Sequence, residues 1–146
     1  MSAPAQAPLR IGDLARRVGT TPRTIRYYEE IGLLEPAERP SGGHRAYDEA
    51  DVERLRLILR LKDLLGVSLD QLRELVAAED ARAAIRAEYQ RTEDPKRRHD
   101  LLEEALVHLE RQLELVSARR AEIDALEAEL RERRERVHRR LEEDSP

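Results

Sequence analysis

Thr20-Thr21-Pro22-Arg23-Thr24-Ile25-Arg26-Tyr27-Tyr28-Glu29-Glu30 is the stretch on which the fold turns. Thr21 before Pro22 suits an N-cap followed by a proline at the first helical position, where the missing N–H costs nothing. Ile25 and Tyr28 give the segment an inward face. Upstream, Ile11, Leu14, Ala15 and Val18 follow the i, i+3, i+4, i+7 spacing of an amphipathic helix, and Gly19 stands where that helix would stop. Two short helices across a tight glycine-containing turn form a helix-turn-helix, whose second helix can lie in a DNA major groove. Taken alone, the pattern has little specificity.

Downstream, Ile31-Gly32-Leu33-Leu34 leads into a stretch carrying Pro36, Pro40, Gly42 and Gly43 and ending in His44-Arg45-Ala46-Tyr47. Its proline and paired glycine predict a turn, with flanks long enough for a small hairpin that would serve as a wing. Asp48 with Asp51 predicts a capped helix with Val52, Leu55, Ile58, Leu59 and Leu65 inward and Gly66 as its terminator. Ser68 and Gln71 have capping-box spacing, and Leu69, Leu72, Leu75 and Val76 carry a fourth helix to about Ala78. Residues 79–94, with Ile85 and Tyr89 as large apolar anchors, read as a connector holding a short helix.

Asp94-Pro95 restarts helix as an N-cap and N1 pair, and no Gly or Pro intervenes before Pro146. One helix over 95–141 would be roughly 70 Å long at ~1.5 Å per residue. Leu102, Leu106, Leu109, Leu113, Val116, Ile123, Leu130 and Val137 keep a strict 4-3 spacing along it, with Leu141 continuing the series. Arg120, Glu127 and Arg134 interrupt the stripe, and Leu126 stands beside Glu127 as a substitute knob. A lone helix would leave such a seam in water, so a second copy of the chain is its simplest partner.

Composition agrees with a mainly helical protein. Of 146 residues 40% are charged, Phe, Trp and Cys are absent, and four Tyr are the only aromatics, so the core must be thin and aliphatic. The formal net charge of -4 means that any footprint for nucleic acid is local. Without cysteine there is no disulfide, thiolate metal site or thiol redox switch. The first eight residues are Ala/Pro-rich and read as a disordered arm, as do 142–146 at the other end. No apolar run is long enough for a bilayer, and a cytoplasmic protein is expected.

The ordered run Ile11-Gly12-Asp13-Leu14-Ala15, Thr24-Ile25-Arg26-Tyr27-Tyr28-Glu29, Gly32-Leu33-Leu34, Arg45-Ala46-Tyr47 and Gly66-Val67-Ser68-Leu69 resembles the MerR family of bacterial transcriptional regulators. The likeness covers about Leu9 to Ala78. It implies a winged helix-turn-helix domain over 9–78 followed by a coiled-coil dimerisation helix, paired antiparallel in a homodimer. It implies binding to a palindromic promoter spacer, which the dimer bends and untwists so that RNA polymerase meets both promoter elements. That is readout through deformation, which can cost DNA several kcal/mol.

On this resemblance the DNA-binding candidates are Thr21, Arg23, Thr24, Arg26, Tyr27, Tyr28, His44, Arg45 and Tyr47. Arg23 and Arg26 can meet either guanine or phosphate. Tyr27 would offer its hydroxyl to phosphate while Tyr28 mostly packs, and Thr21 serves equally well as a cap. Arg45 is the wing's phosphate candidate; Tyr47 would pin the hairpin to the core, and His44 stands where the family often has an aromatic. From Leu9 to Tyr47 seven arginines face five acids. Arg56, Arg60 and Lys62 read as solvated-face charges. His99 and His108 lack the i, i+4 spacing of a shared metal site.

No nucleophile-base pair, phosphate loop or metal cluster appears, so the chain is not read as an enzyme and implies no cofactor. Rival readings are a coiled-coil scaffold whose winged domain binds protein, and a phage excisionase-like architectural factor. An effector, if there is one, would have to use a small pocket between the connector, at Ile85 and Tyr89, and the second copy's long helix.

Overall fold

In the computed structural model, residues 7–35, 43 and 46–146 are described. Five helices follow in order: α1 (Ile11–Val18), α2 (Pro22–Glu30), α3 (Glu49–Leu65), α4 (Leu69–Arg91) and α5 (Pro95–Glu143). The expected N-terminal arm falls mostly, and the wing turn with His44 and Arg45 wholly, outside the described residues, apart from Gly43. Among the described residues there is no strand. An antiparallel bridge joins Leu9 to Tyr47 through two backbone hydrogen bonds of 2.8 and 2.9 Å.

The chain forms two compact units, Met1–Ala77 and Ala78–Pro146. In the first, α1 packs against α2 and α3. Leu14, Ile25, Leu34, Val52, Leu55 and Ile58 are fully or almost fully buried, joined by Leu72 and Val76 from α4. Several helix ends are built as their sequence directs. Gly19 takes a left-handed φ of 76°, and the N–H groups of Gly19 and Thr20 both reach the Ala15 carbonyl, which closes α1. Asp48 and Asp51 form a reciprocal capping box at 3.1 and 2.9 Å, and Ser68 and Gln71 form another at 3.2 and 3.0 Å.

α4 departs from expectation. It continues past Ala78 through the supposed connector to Arg91, so 79–91 is one helix with what precedes it and not a loop holding a short helix. Scarcity of large apolar residues suggests a break there, but it is no obstacle to helix. Residues 79–91 hold no Gly or Pro and are rich in Ala, Arg and Glu, the strong helix formers, and Glu79 accepts from Arg82 at 2.8 Å one turn on. Helix ends only at Thr92–Asp94. Pro95 follows, disfavouring helical conformation in Asp94, whose carboxylate instead caps α5 through the Lys96 N–H at 3.1 Å.

The second unit is the end of α4, this turn and α5. Arg97 fastens the turn, donating to both oxygens of Glu88 at 2.7 and 3.0 Å and to Glu104 at 2.9 Å. Donating to the Glu88 carboxylate raises the Arg97 pKa, and Arg97 in return holds the Glu88 carboxyl below its ordinary range. The Arg98 guanidinium lies 4.7 Å over the Tyr89 ring. Leu101 is fully buried, but from Arg120 onward every residue of α5 is exposed. No helix among the described residues is long and apolar enough to cross a membrane.

Candidate nucleic-acid interface

α2 has two faces. Ile25, Tyr28 and Glu29 are buried, which is the i, i+3, i+4 pattern of one helix side, while Arg23, Arg26, Tyr27 and Glu30 are exposed. Thr21 starts the helix, its hydroxyl accepting the Thr24 N–H at 3.2 Å, and the two threonine hydroxyls lie 3.0 Å apart. Both hydroxyls are thus engaged at the cap. α2 ends in a Schellman arrangement: Gly32 has φ 79°, the Leu33 N–H reaches the Tyr28 carbonyl at 3.0 Å, and the Gly32 N–H reaches that of Glu29 at 3.2 Å.

Three long-range contacts then fix this helix. Arg54 of α3 donates to the Leu33 carbonyl at 2.9 Å, and Arg73 of α4 donates to the Ile31 carbonyl at 3.1 Å. Cations here also suit the negative end of the α2 dipole. The Tyr47 hydroxyl donates to the buried carboxylate of Glu29, tying the Leu9–Tyr47 bridge to the back of α2. Residue spacing carries no sign of any of the three, because each joins residues far apart in sequence.

The candidates sort by burial. Arg23, Arg26 and Tyr27 reach solvent, Tyr27 with 47% of its surface exposed. Tyr28 and Tyr47 keep 2% and 1%, so both hold the surface from behind and neither side chain lies on it. Arg16 and Arg17 form surface ion pairs with Asp13 and Glu49. The Glu49 contact raises the Arg17 pKa and lowers that of Glu49. His44 and Arg45 lie outside the described residues.

Beside α2 is a groove of about 440 Å³ lined by Arg23, Thr24, Tyr27, Tyr28, Lys62, Val67, Leu69 and Leu72. Lys62, read from sequence as a solvated-face charge, comes to the same groove as Arg23 and Tyr27. Lys62 lies near the end of α3 and Val67, Leu69 and Leu72 just beyond the Gly66 turn, so the groove joins residues far from α2 in sequence, and no local pattern records that. The Tyr28 hydroxyl, which borders this groove, is buried and has no hydrogen-bond partner among the described residues. An unmet buried hydroxyl costs about 1 to 3 kcal/mol. Tyr28→Phe is therefore expected to hold or raise the melting temperature; a fall of several degrees would show that the hydroxyl is engaged.

The description "MerR HTH family regulatory protein" matches residues 9–79. HTH-type transcriptional regulator YfmP of Bacillus subtilis is 39% identical over 108 residues, 74% of this chain and 77% of its own. The chain belongs to the MerR family. This makes it a DNA-binding transcriptional regulator and not an enzyme. ZntR of Escherichia coli, also an HTH-type transcriptional regulator, is 36% identical over 121 residues, 83% of this chain and 74% of that one. In fold, the chain resembles HiNmlR, described as a MerR family regulator lacking the sensor domain, bound to promoter DNA. The TM-score is 0.55 at 23% identity, covering 94% of each chain. A MerR family regulator from Bacillus cereus gives a TM-score of 0.56 at 22% identity, over 94% of this chain and 85% of that one.

Proposed function

We propose that this MerR regulator works as a cytoplasmic homodimer that binds a palindromic promoter spacer, one α2 in the major groove of each half-site, and controls transcription by bending and untwisting that spacer for RNA polymerase. The observation that carries this is the two-faced α2, whose outer side offers Arg23, Arg26 and Tyr27 while its inner side is locked by Ile25, Tyr28 and Glu29. Lys62 adds a cation beside Arg23, and the wing would add Arg45 to the flanking backbone. The second support is the uncovered seam of α5. Leu102, Leu106, Leu113, Val116, Ile123, Leu126, Leu130 and Val137 are 40% to 63% exposed in the single chain, and Leu109 is half-buried. Apolar exposure at heptad spacing, even with three charged interruptions, is what a second helix covers.

The test is to select bound genomic fragments with the full chain, then measure the bend angle of the recovered site by its gel mobility at permuted positions. A twofold-symmetric site that bends on binding and whose affinity falls steeply with salt is the expected result. Straight bound DNA would remove the deformation mechanism, and DNA indifference at every salt concentration would favour the scaffold reading.

A further inference from the structure

We infer that the groove beside α2 binds a small aromatic carboxylate and, resting here on the reading of α2 as the DNA-reading helix, that this ligand and the operator exclude each other. The groove, at about 440 Å³, falls within the roughly 300 to 1,000 Å³ of small-molecule sites. Its floor is apolar. Val67 and Leu69, partly buried, and Leu72, with 3% of its surface exposed, reach it from the turn after α3 and the first turn of α4. A flat hydrocarbon ring suits such a floor, whereas a phosphate would take up the cations and leave the apolar residues bare.

The charge at the groove has one sign. Arg23 and Lys62 are exposed there, neither has an ion pair among the described residues, and no acid is among the lining residues. Elsewhere the chain pairs its arginines freely, as Arg17, Arg82 and Arg97 do with Glu49, Glu79 and Glu88. The third mark is the Tyr28 hydroxyl, buried at the groove wall and without a hydrogen-bond partner among the described residues. A ligand polar atom that meets it would gain a hydrogen bond shielded from water. Together these features define the class: an aromatic ring with a carboxylate for Arg23 and Lys62 and a second polar group, remote from the acid, for Tyr28. Arg23 and Tyr27 line the groove and also belong to the outer side of α2. A carboxylate held by Arg23 withdraws that cation from the duplex and sets a negative charge against the phosphates.

The probe is 6-hydroxy-2-naphthoate, whose own fluorescence anisotropy reports binding to the full chain, which has no Trp to interfere. A dissociation constant on the order of 0.1 to 1 mM is expected. As competitors, 2-naphthol, which lacks the carboxylate, and inorganic phosphate, which lacks the ring, should each be at least about tenfold weaker than 2-naphthoate. Lys62→Met is expected to weaken the probe about tenfold. Tyr28→Phe should abolish the probe's advantage over 2-naphthoate and leave 2-naphthoate itself unchanged. Phosphate competing as well as 2-naphthoate would make the groove a seat for the DNA backbone and overturn the ligand class. Undiminished binding to Lys62→Met would overturn the site, and an advantage that survives Tyr28→Phe would overturn the role of the hydroxyl. Labelled operator is then expected to be released as the probe rises past its dissociation constant. A probe that binds through Lys62 yet leaves the operator in place would overturn the exclusion. If the operator also stays on a chain with Arg23, Arg26 and Tyr27 replaced by alanine, the failure lies in the DNA reading of α2 and not in the ligand site.

Discussion

A chain carrying Arg23→Ala, Arg26→Ala and Tyr27→Ala is expected to bind its operator at least about a hundredfold more weakly, with folding and assembly unchanged. Each arginine on a base or phosphate is worth about 1 to 3 kcal/mol, and a symmetric dimer forgoes each of them twice. The three side chains face solvent, on the side of α2 away from Ile25, Tyr28 and Glu29, so their removal leaves the core alone. Affinity measured by anisotropy across a salt series also says what the arginines touch. Removing one cation from a phosphate flattens the logarithmic salt slope by about 0.9, so four arginines all on phosphate would flatten it by between 3 and 4. Arginines that read guanine leave more of the slope and relax sequence preference instead. Unchanged affinity would remove α2 from the DNA and, with it, the proposed mode of recognition.

The second large effect is expected from Leu113→Ala with Leu130→Ala. Both leucines are more than half exposed in a single chain, at 63% and 52%, and alanine is the best helix former, so α5 itself should persist. Assembly should not. A dimer would be without four leucine side chains in its seam, and even partial burial of each makes the total exceed about 4 kcal/mol, near a thousandfold in the dissociation constant. Light scattering at micromolar concentration should then find monomer. Operator binding should fall with it, because a monomer holds one half-site and forgoes the roughly 10²-fold or greater advantage of two linked binding events. A dimer of undiminished stability would mean that some other surface joins the copies.

Much of this architecture was legible in local sequence. Thr21, Asp48, Ser68 and Asp94 cap where their spacing says they should, and Gly19 and Gly66 stop helices at left-handed φ. These features depend on residues a few positions apart, and local chemistry settles them. The difference over 79–91 has another root. Apolar periodicity reports what a helix packs against, whereas backbone propensity reports whether helix is locally favoured, and this alanine-rich segment has that propensity together with contacts from Arg97 and Arg98. Within the interface, α2 and its outward arginines were visible, but the supports were not. Arg54, Arg73 and the Glu29–Tyr47 pair act across 18 to 42 positions of chain. Lys62 is the clearest case: an ordinary lysine by its neighbours in sequence, beside Arg23 and Tyr27 in space.

The bareness of α5 beyond Arg120 bears on how the regulator comes into being. Ion pairs one turn apart, such as Arg131 with Glu127 and Arg133 with Glu129, add only about 0.3 to 0.5 kcal/mol each, so a solitary chain has little to keep its final turns wound. Winding and pairing would then be a single event, bimolecular and dependent on dose. On the proposed homodimer reading, occupancy of the promoter would then rise with the concentration of the chain more steeply than for a regulator that binds as one copy.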